Sequence, residues 1–352
     1  MLKIGNNLRY EAVGEKVTLL SIIAAMMVVG IHVCGNVNWG STVWWWRLIG
    51  PNGVFLVAVP FFFICSGYFL GRHCEEDGWW VRGCAKRIRT LLVPFILWSA
   101  VYAGIEVGVI VLANAVHSRT LFANVPTELH YWMRVMGLHL YAFPLLVPLW
   151  YVRTLLIFVI VSPLIKAFVW RWGWGALLVA YLIALAAPML PNGVWGGFFG
   201  TFFSLRGLFY FMVGMWIASV QGKHLMLSNK YSAKWFLLVG LVMVGVSAFC
   251  VFKFGPKSSY WTRLVFVPPL LIGFWGVVPV HTLPRFITEA SFPMYLLHVP
   301  VMYVGGLFFS WHTETMLGWW MKYVFALAGS VFVCWVMKRF FPRIASVAFG
   351  GR

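Results

Sequence analysis

Charged residues are scarce in this sequence, and acidic residues are the scarcest. Asp and Glu together number 9 of 352 residues, and Asp77 is the only aspartate. A soluble domain carries about 25% charged residues because water must hydrate its surface, whereas this chain carries 10%. Hydrophobic residues make up 62% of the sequence, and its mean hydropathy is +0.85. The composition therefore predicts an integral membrane protein whose surface mostly contacts hydrocarbon.

The scarcity of acids and the absence of several motifs exclude common classes of enzyme. A Ser-His-Asp triad has only Asp77 to draw on, although a glutamate could take its place. No G-x-S-x-G, H-E-x-x-H or P-loop motif occurs. Beyond Glu106 and Glu289, few acids remain for the relay of a proton pump. The 6 cysteines include no C-x-x-C pair, so neither a zinc site nor a disulfide framework is expected.

Long apolar runs fill most of the chain. A helix needs about 20 mostly apolar residues to cross a bilayer. About ten such helices are predicted, at residues 17–35, 48–70, 91–115, 147–169, 174–190, 198–220, 235–253, 264–280, 290–309 and 319–337. Pro268 and Pro269 are expected to break or kink the eighth of them. No repeat or low-complexity linker occurs, so residues 1–352 are predicted to form one all-α membrane domain.

The basic residues between these runs indicate the orientation, because Lys and Arg are enriched on the cytoplasmic side. With the N-terminus in the cytoplasm, most of the 27 Lys and Arg residues fall on that side, including the run Arg82, Lys86, Arg87 and Arg89. Both termini are therefore predicted to be cytoplasmic. The longest outer connection, 116–146, is rich in polar and aromatic residues and is expected to hold a short interfacial helix. Scattered basic residues of this kind contact lipid, and nucleic acid is not an expected partner.

A small group of ionisable residues lies inside the predicted helices. An ionisable side chain there costs about 3 kcal/mol or more, so each is a candidate functional residue. They are His32, Glu106, Arg153, Arg206 and His298. The predicted orientation places the first four in the outer half of the membrane and His298 nearer the middle. We expect them to share a polar cavity; the alternative is an Arg–Glu pair that only locks helices together.

Five short segments resemble the acyltransferase-3 family of bacterial membrane acyltransferases, which acylate surface glycans and small molecules. In chain order they are SIIAAMMVVGIH at 21–32, PFFFICSGY at 60–68, KRIRTLLVP at 86–94, LWYVRTL at 149–155 and SFPMYLLH at 291–298. In the same order, the family motifs that they resemble are an Arg and a His separated by ten residues, a Phe-Phe-x-x-Ser-Gly-Tyr signature, a basic start of the third helix, a Leu-Trp-Phe-Leu-x-x-Leu run and a late Ser-Phe-x-x-Tyr-Leu-x-His run.

The first segment departs from the family pattern at one position. Two residues eleven positions apart return to nearly the same face of a helix, three turns along it. In the family an Arg near the inner end holds an anionic acyl donor and the His acts as a general base. Here position 21 is Ser while His32 is retained. The role of the Arg is vacant unless Lys16, Arg153 or Arg206 fills it, and a non-catalytic family member is the alternative.

The resemblance implies the roles of the site residues. An acyl-CoA donor, with acetyl-CoA expected, would be bound from the cytoplasm by the basic run 82–89, through Arg82, Lys86, Arg87 and Arg89. His32 would deprotonate a hydroxyl of a surface glycan, a glycolipid or another lipid-linked acceptor, or a small molecule. Arg153 or Arg206 would stabilise the oxyanion. The path would be lined by Ser66, Tyr68, Glu106, Trp150, Tyr295 and His298. No metal and no bound cofactor are implied.

Two further functions remain open at this point, both for a multi-pass protein expected in a bacterial cytoplasmic membrane. A transporter or flippase would move a polar solute through the same cavity and leave acyl-CoA intact. A sensory or structural membrane domain would tolerate the loss of His32. An acyltransferase would consume acyl-CoA and would depend on His32.

The orientation can be tested with reporter fusions. A reporter fused after Arg352 should be active only in the cytoplasm, and one inserted within 116–146 should be active only outside, because the basic connections favour that orientation. Activity of the two fusions on the opposite sides would overturn the placement of His32 in the outer half of the membrane.

Overall fold

Helices make up most of the structure, and no β-strand occurs in its described part. The computed structural model describes residues 2–33, 45–46, 50–116, 125–190, 197–219, 230–254, 259–278, 284, 288–309 and 315–351. The chain is therefore an all-α, polytopic membrane protein, which confirms the predicted fold class.

Fourteen α-helices form the framework of the described part. They are α1 (Leu2–Val33), α2 (Ala58–Gly71), α3 (Trp79–Arg87), α4 (Val93–Val116), α5 (Leu129–Val135), α6 (Trp150–Ile160), α7 (Ser162–Trp172), α8 (Trp174–Ala186), α9 (Leu205–Ala218), α10 (Lys230–Phe254), α11 (Ser259–Val277), α12 (Ser291–Phe308), α13 (Met316–Phe340) and α14 (Pro342–Ala348). A π-helical turn, Ile88–Leu92, joins α3 to α4 into one long element.

The ten predicted runs coincide with apolar helices, but fewer than ten are long enough to cross a membrane on their own. Seven helical segments in the described part meet the length and hydropathy that a span requires. A bent pair, Val147–Ile160 with Ser162–Trp172, makes eight if it counts as one span. Trp174–Met189 and Thr262–Val277 are shorter apolar helices. Residues 34 and 35, 48 and 49, 220, and 279 and 280, at the ends of predicted runs, lie outside the described residues.

Proline acts differently at two places in the chain. The run predicted at 147–169 is not one straight helix, because α6 and α7 meet at an angle of 68°. Pro163 lies in the first turn of α7, where its missing N–H needs no partner, whereas a helix that continued from α6 through Pro163 would lose a backbone hydrogen bond. Conversely, α11 continues through Pro268 and Pro269, so the break expected there does not occur. Close packing of α10 against α11 supports the helix at this point, since a Cβ atom on Gly273 would lie 2.6 Å from the backbone of Leu237.

The connection 116–146 contains a short helix, as predicted. Its first part, 117–124, lies outside the described residues, and α5 follows. The Tyr131 hydroxyl donates a hydrogen bond to Glu106 Oε2 over 3.1 Å, which ties α5 to α4. Burial and the nearby Glu106 carboxylate raise the pKa of Tyr131 to about 12, so its hydroxyl remains a donor at neutral pH.

Helices α2 and α9 touch backbone to backbone through two glycines. A Cβ atom on Gly67 would lie 2.1 Å from the carbonyl oxygen of Phe211, and one on Gly214 would lie 2.0 Å from that of Ile64. Small residues permit such close approach in membrane helices, where packing replaces the hydrophobic effect. The aromatic core beside this contact includes Phe63, which is 1% exposed. The contact fixes the segment 60–68 against α9.

The C-terminal helix α14 and the residues after it pack against the segment that follows the basic run. The Trp98 indole Nε1 donates a hydrogen bond to the Ala348 carbonyl oxygen over 3.0 Å, and the Trp98 and Phe349 rings stack 6.1 Å apart. Gly350, in the left-handed region at φ +66°, lies against the backbone of Thr90. The predicted orientation requires the C-terminal residues and the basic run to share one end of the bundle, and the structure places them together.

The glycine contact gives a direct test of the packing. Gly67→Ala should lower the unfolding midpoint of the purified protein, with a destabilisation of about 1–3 kcal/mol, because the added methyl group forces α2 and α9 apart. Gly104→Ala is the matched control, since nothing lies within 4 Å of its Cβ position. That change should be neutral or stabilise α4 by up to about 1 kcal/mol. Equal midpoints for the two variants would contradict the close packing of α2 on α9.

Candidate functional site

A cavity of about 740 Å³ lies at the basic end of the bundle, between α1, α2, α3 and its π-helical continuation, α6 and α12. Its positively charged lining residues are Arg82, Lys86 and Arg87, and we call it the basic cavity. Three of the four residues predicted to bind a donor therefore share one space. The fourth, Arg89, is exposed and does not line it.

The cations of the basic cavity differ in their partners. Arg82 Nη2 lies 2.9 Å from Glu76 Oε2, and His73 Nδ1 lies 2.6 Å from Glu76 Oε1. The hydrogen bond from His73, together with Arg82, holds the pKa of the Glu76 carboxyl below its usual range. Glu76 therefore stays ionised at neutral pH and offsets part of the charge of Arg82. Within the described part of the chain, no carboxylate forms an ion pair with Lys86 or Arg87.

Ser21 faces the same cavity from α1. His32 lies eleven positions further along this helix, about 16 Å away at 1.5 Å per residue. The first family segment thus connects the basic cavity with a second location deeper in the bundle. Because Ser is small, the space that an arginine would occupy at position 21 is open to the other cations of the cavity.

A pair of histidines occupies that deeper location. The ring centroids of His32 and His298 are 5.1 Å apart, and the rings are inclined at 43°. His298 is completely buried, and its Nδ1 lies 3.0 Å from the Met294 carbonyl oxygen. A carbonyl oxygen only accepts hydrogen bonds, so this Nδ1 carries the proton and Nε2 presents a lone pair. Within the described residues, that Nε2 has no hydrogen-bond partner.

A row of aromatic and hydroxyl side chains connects the histidine pair to the basic cavity. The Tyr295 ring lies 6.5 Å from the His298 ring and 6.0 Å from the Tyr151 ring. The Tyr151 hydroxyl lies 3.2 Å from Ser66 Oγ. Ser66, Tyr151 and Tyr295 all line the basic cavity, and the Tyr295 hydroxyl donates to the Pro148 carbonyl oxygen. One hydrogen bond and two ring contacts thus connect the cavity to the edge of the pair.

Tyr151 was not among the residues that the sequence singled out. It stands where the family run Leu-Trp-Phe-Leu has Phe, and the phenolic oxygen is the group that reaches Ser66. The replacement of Phe by Tyr within this apolar motif is the feature of the sequence that could have identified Tyr151. Its neighbour Trp150 packs against Phe63 and Phe143, with ring centroids 6.3 Å apart in both cases.

Arg153 and Glu106 have local partners. Arg153 Nη1 donates to the carbonyl oxygens of Gly137, His139 and Ala142 over 3.3, 3.1 and 3.2 Å. Its guanidinium also lies 4.9 Å from the centre of the Phe202 ring. These contacts secure the turn that follows α5. Glu106 accepts from Tyr131, as described for α5.

Several predicted site residues, Trp150 among them, lie outside the lining of the basic cavity. Arg153, Arg206 and Glu106 do not line the basic cavity, so an oxyanion role for either arginine remains a prediction. Tyr68 lines a separate apolar cavity, and its ring lies 5.8 Å from the Arg72 guanidinium. Among the described residues, no group of three or more His, Cys, Asp or Glu side chains could hold a metal ion.

Comparison with known proteins agrees with the five sequence segments. A family model described as an acyltransferase domain matches residues 16–339, a range that contains both histidines and most of the basic cavity. The succinoglycan biosynthesis protein ExoH of Rhizobium meliloti (strain 1021) is 25% identical over 367 residues, which cover 97% of this chain and 93% of that protein. No solved structure matches the chain significantly. The protein belongs to the acyltransferase-3 family and is a membrane acyltransferase.

Proposed function

We propose that this protein transfers an acyl group, with acetyl expected, from a cytoplasmic acyl-CoA to a hydroxyl of a surface glycan or its lipid-linked precursor in a bacterial cytoplasmic membrane. The observation that carries the proposal is the buried pair of His32 and His298, connected through tyrosines to the basic cavity. The relative from Rhizobium meliloti is named for the biosynthesis of succinoglycan, which supports a glycan acceptor.

The basic cavity suits the phosphates of CoA. Guanidinium and ammonium groups form strong charge-assisted hydrogen bonds with phosphate oxygens. Lys86 and Arg87 supply these groups, while Glu76 offsets part of the charge of Arg82. The long pantetheine arm of CoA would follow α1 from Ser21 towards His32, a distance of about 16 Å. The thioester would then meet the histidine pair.

Arg87 is the best candidate for the cation that the family pattern places at position 21. Its side chain lines the same cavity as Ser21. The other candidates have different surroundings: Arg153 binds the carbonyl groups after α5, Lys16 lies over the Trp275 ring, and Arg206 does not line the cavity. An arginine from the end of α3 would thus replace one from α1.

The chemistry follows from the two imidazoles. His32 takes the proton of the acceptor hydroxyl, the oxygen forms a bond to the thioester carbonyl carbon, and the carbonyl becomes an oxyanion. The carbon–sulfur bond then breaks, and the imidazolium returns the proton to the CoA thiolate. The two rings are in contact but not hydrogen-bonded; a small rotation on substrate binding would let His298 Nε2 accept a hydrogen bond from the protonated nitrogen of His32, which would leave the other nitrogen of His32 as the base. This role gives the buried lone pair of His298 its partner.

The donor site can be tested with two neighbouring arginines. Arg87→Gln should weaken binding of acetyl-CoA to the purified protein by about tenfold or more, because it removes a charge-assisted hydrogen bond of about 1.5–3 kcal/mol. Arg89→Gln is the matched control, since Arg89 is exposed outside the cavity, and it should leave the dissociation constant unchanged. Equal affinities of both variants and the wild type, measured by calorimetry, would assign Arg87 to membrane orientation alone.

Substitution of His32 tests whether the protein is an enzyme rather than a transporter or a sensor. His32→Ala should lower acyl transfer by about 10²–10⁴-fold while the protein still inserts and folds, because it removes the general base. His130→Ala, on the exposed face of α5, serves as the control and should retain activity. Mass spectrometry of surface glycans from cells that carry each variant measures the transfer. Wild-type acylation with His32→Ala would refute the catalytic role.

Ser21→Arg gives a companion test of the vacant position. If Arg87 already acts as the donor cation, a second guanidinium in the same cavity should leave acyl transfer unchanged or lower it, because like charges would crowd. A marked rise in transfer would show instead that position 21 lacks a needed cation.

A further inference from the structure

A second cavity, of about 840 Å³, lies beside the basic cavity and has a different character. It is bordered by α1, α2, α8, α9, α10 and α11, and nearly all of its lining side chains are apolar. Lys16 is the one charged side chain among the described residues that line it. The cavity follows α1 from Lys16 to Met27, about 16 Å at 1.5 Å per residue. We call it the apolar slot.

The slot opens sideways, towards the lipid. Its lining includes Leu178, Phe236 and Ile272, which are 59%, 40% and 48% exposed and belong to α8, α10 and α11. Exposed apolar side chains on spanning helices face hydrocarbon rather than water. A ligand would therefore reach the slot from within the bilayer, which excludes a water-soluble molecule such as the acyl donor.

The two ends of the slot differ in charge. Lys16 Nζ lies 5.2 Å from the centre of the Trp275 ring. One end of the slot thus holds a cation beside a tryptophan, the residue type that is enriched at membrane–water interfaces. Val17, the next residue, lines both the slot and the basic cavity, which places this end near Arg87 and the other cations. The opposite end, around Met27 and Ala58, is apolar. Such polarity matches an amphiphile with an anionic head.

The length of the slot indicates how much of that amphiphile it holds. The hydrocarbon core of a bilayer is about 30 Å thick, so about 16 Å corresponds to one leaflet. One leaflet is the reach of a single lipid acyl chain. From the lateral opening, the length and the cation, we propose that the slot binds one acyl chain of an anionic phospholipid from the leaflet on the basic side, with its phosphate at Lys16.

This site is distinct from the acyl-transfer site, since neither histidine lines it. The bound chain would fill the space that separates α10 and α11 from α1. Each buried methylene group would contribute to the stability of the bundle through its packing contacts.

Native mass spectrometry of the purified protein tests the proposal. Phosphatidylglycerol should bind at one tight site, and phosphatidylcholine should bind there about fivefold more weakly, because its head group carries no net charge. Lys16→Gln should remove most of that preference. Lys234→Gln is the matched control, an exposed cation at the start of α10 beside the slot residue Ala233, and should retain the preference.

A second variant tests the apolar part of the slot. Ala24→Phe places a ring inside it and should abolish the tight site for both lipids. If this variant does not fold, the comparison of Lys16→Gln with Lys234→Gln still decides the matter. Equal affinity of the wild type for the two lipids, no effect of Lys16→Gln, or tight binding of a polyprenyl phosphate in place of phosphatidylglycerol would each overturn the proposal.

Discussion

Hydrocarbon offers no hydrogen bonds, so each polar group among the spanning helices must find its partner within the protein. Arg153 follows this rule through the carbonyl groups of the turn after α5, and Glu106 follows it through Tyr131. His298 departs from it, because only one of its two nitrogens has a partner among the described residues. An unmade hydrogen bond of a buried group costs about 1–3 kcal/mol. Other buried groups, such as Ser99 and Trp216, carry the same cost, so it is the facing ring of His32 that makes the histidine pair the place where chemistry is expected.

The helical framework could be predicted from the sequence because hydropathy is a local property. Most of each apolar run is helical in its described part, as one helix or two, since a backbone surrounded by lipid must satisfy its hydrogen bonds within the segment. The effect of proline could not be read in the same way. Pro163 coincides with a sharp bend, whereas Pro268 and Pro269 lie inside a continuous helix that α10 supports at Gly240 and Gly273. The outcome depends on neighbouring helices, which a single run does not reveal.

The candidate site, like the helical framework, could be predicted from the sequence only where it depends on local pattern. Spacing alone places Ser21 and His32 on one face of α1, and charge density alone identifies the basic run. The meeting of His32 with His298, at 5.1 Å, depends on how α1 packs against α12, and spacing within either helix cannot show it. The outer cavity expected to be shared by His32, Glu106, Arg153 and Arg206 remains a prediction. Arginine in lipid binds the nearest carbonyl groups, and here these belong to a turn outside the basic cavity.

The partition between the two cavities is one residue thick where Val17 and Cys65 line both of them. A larger side chain at either position would take volume from both cavities. The size of these two residues is therefore constrained both by the donor in the basic cavity and by the lipid chain in the apolar slot. A ligand that displaces these side chains in one cavity also changes the free energy of binding in the other cavity, and such coupling is reciprocal. The lipid composition of the membrane would therefore influence the affinity for a water-soluble donor that never touches the lipid.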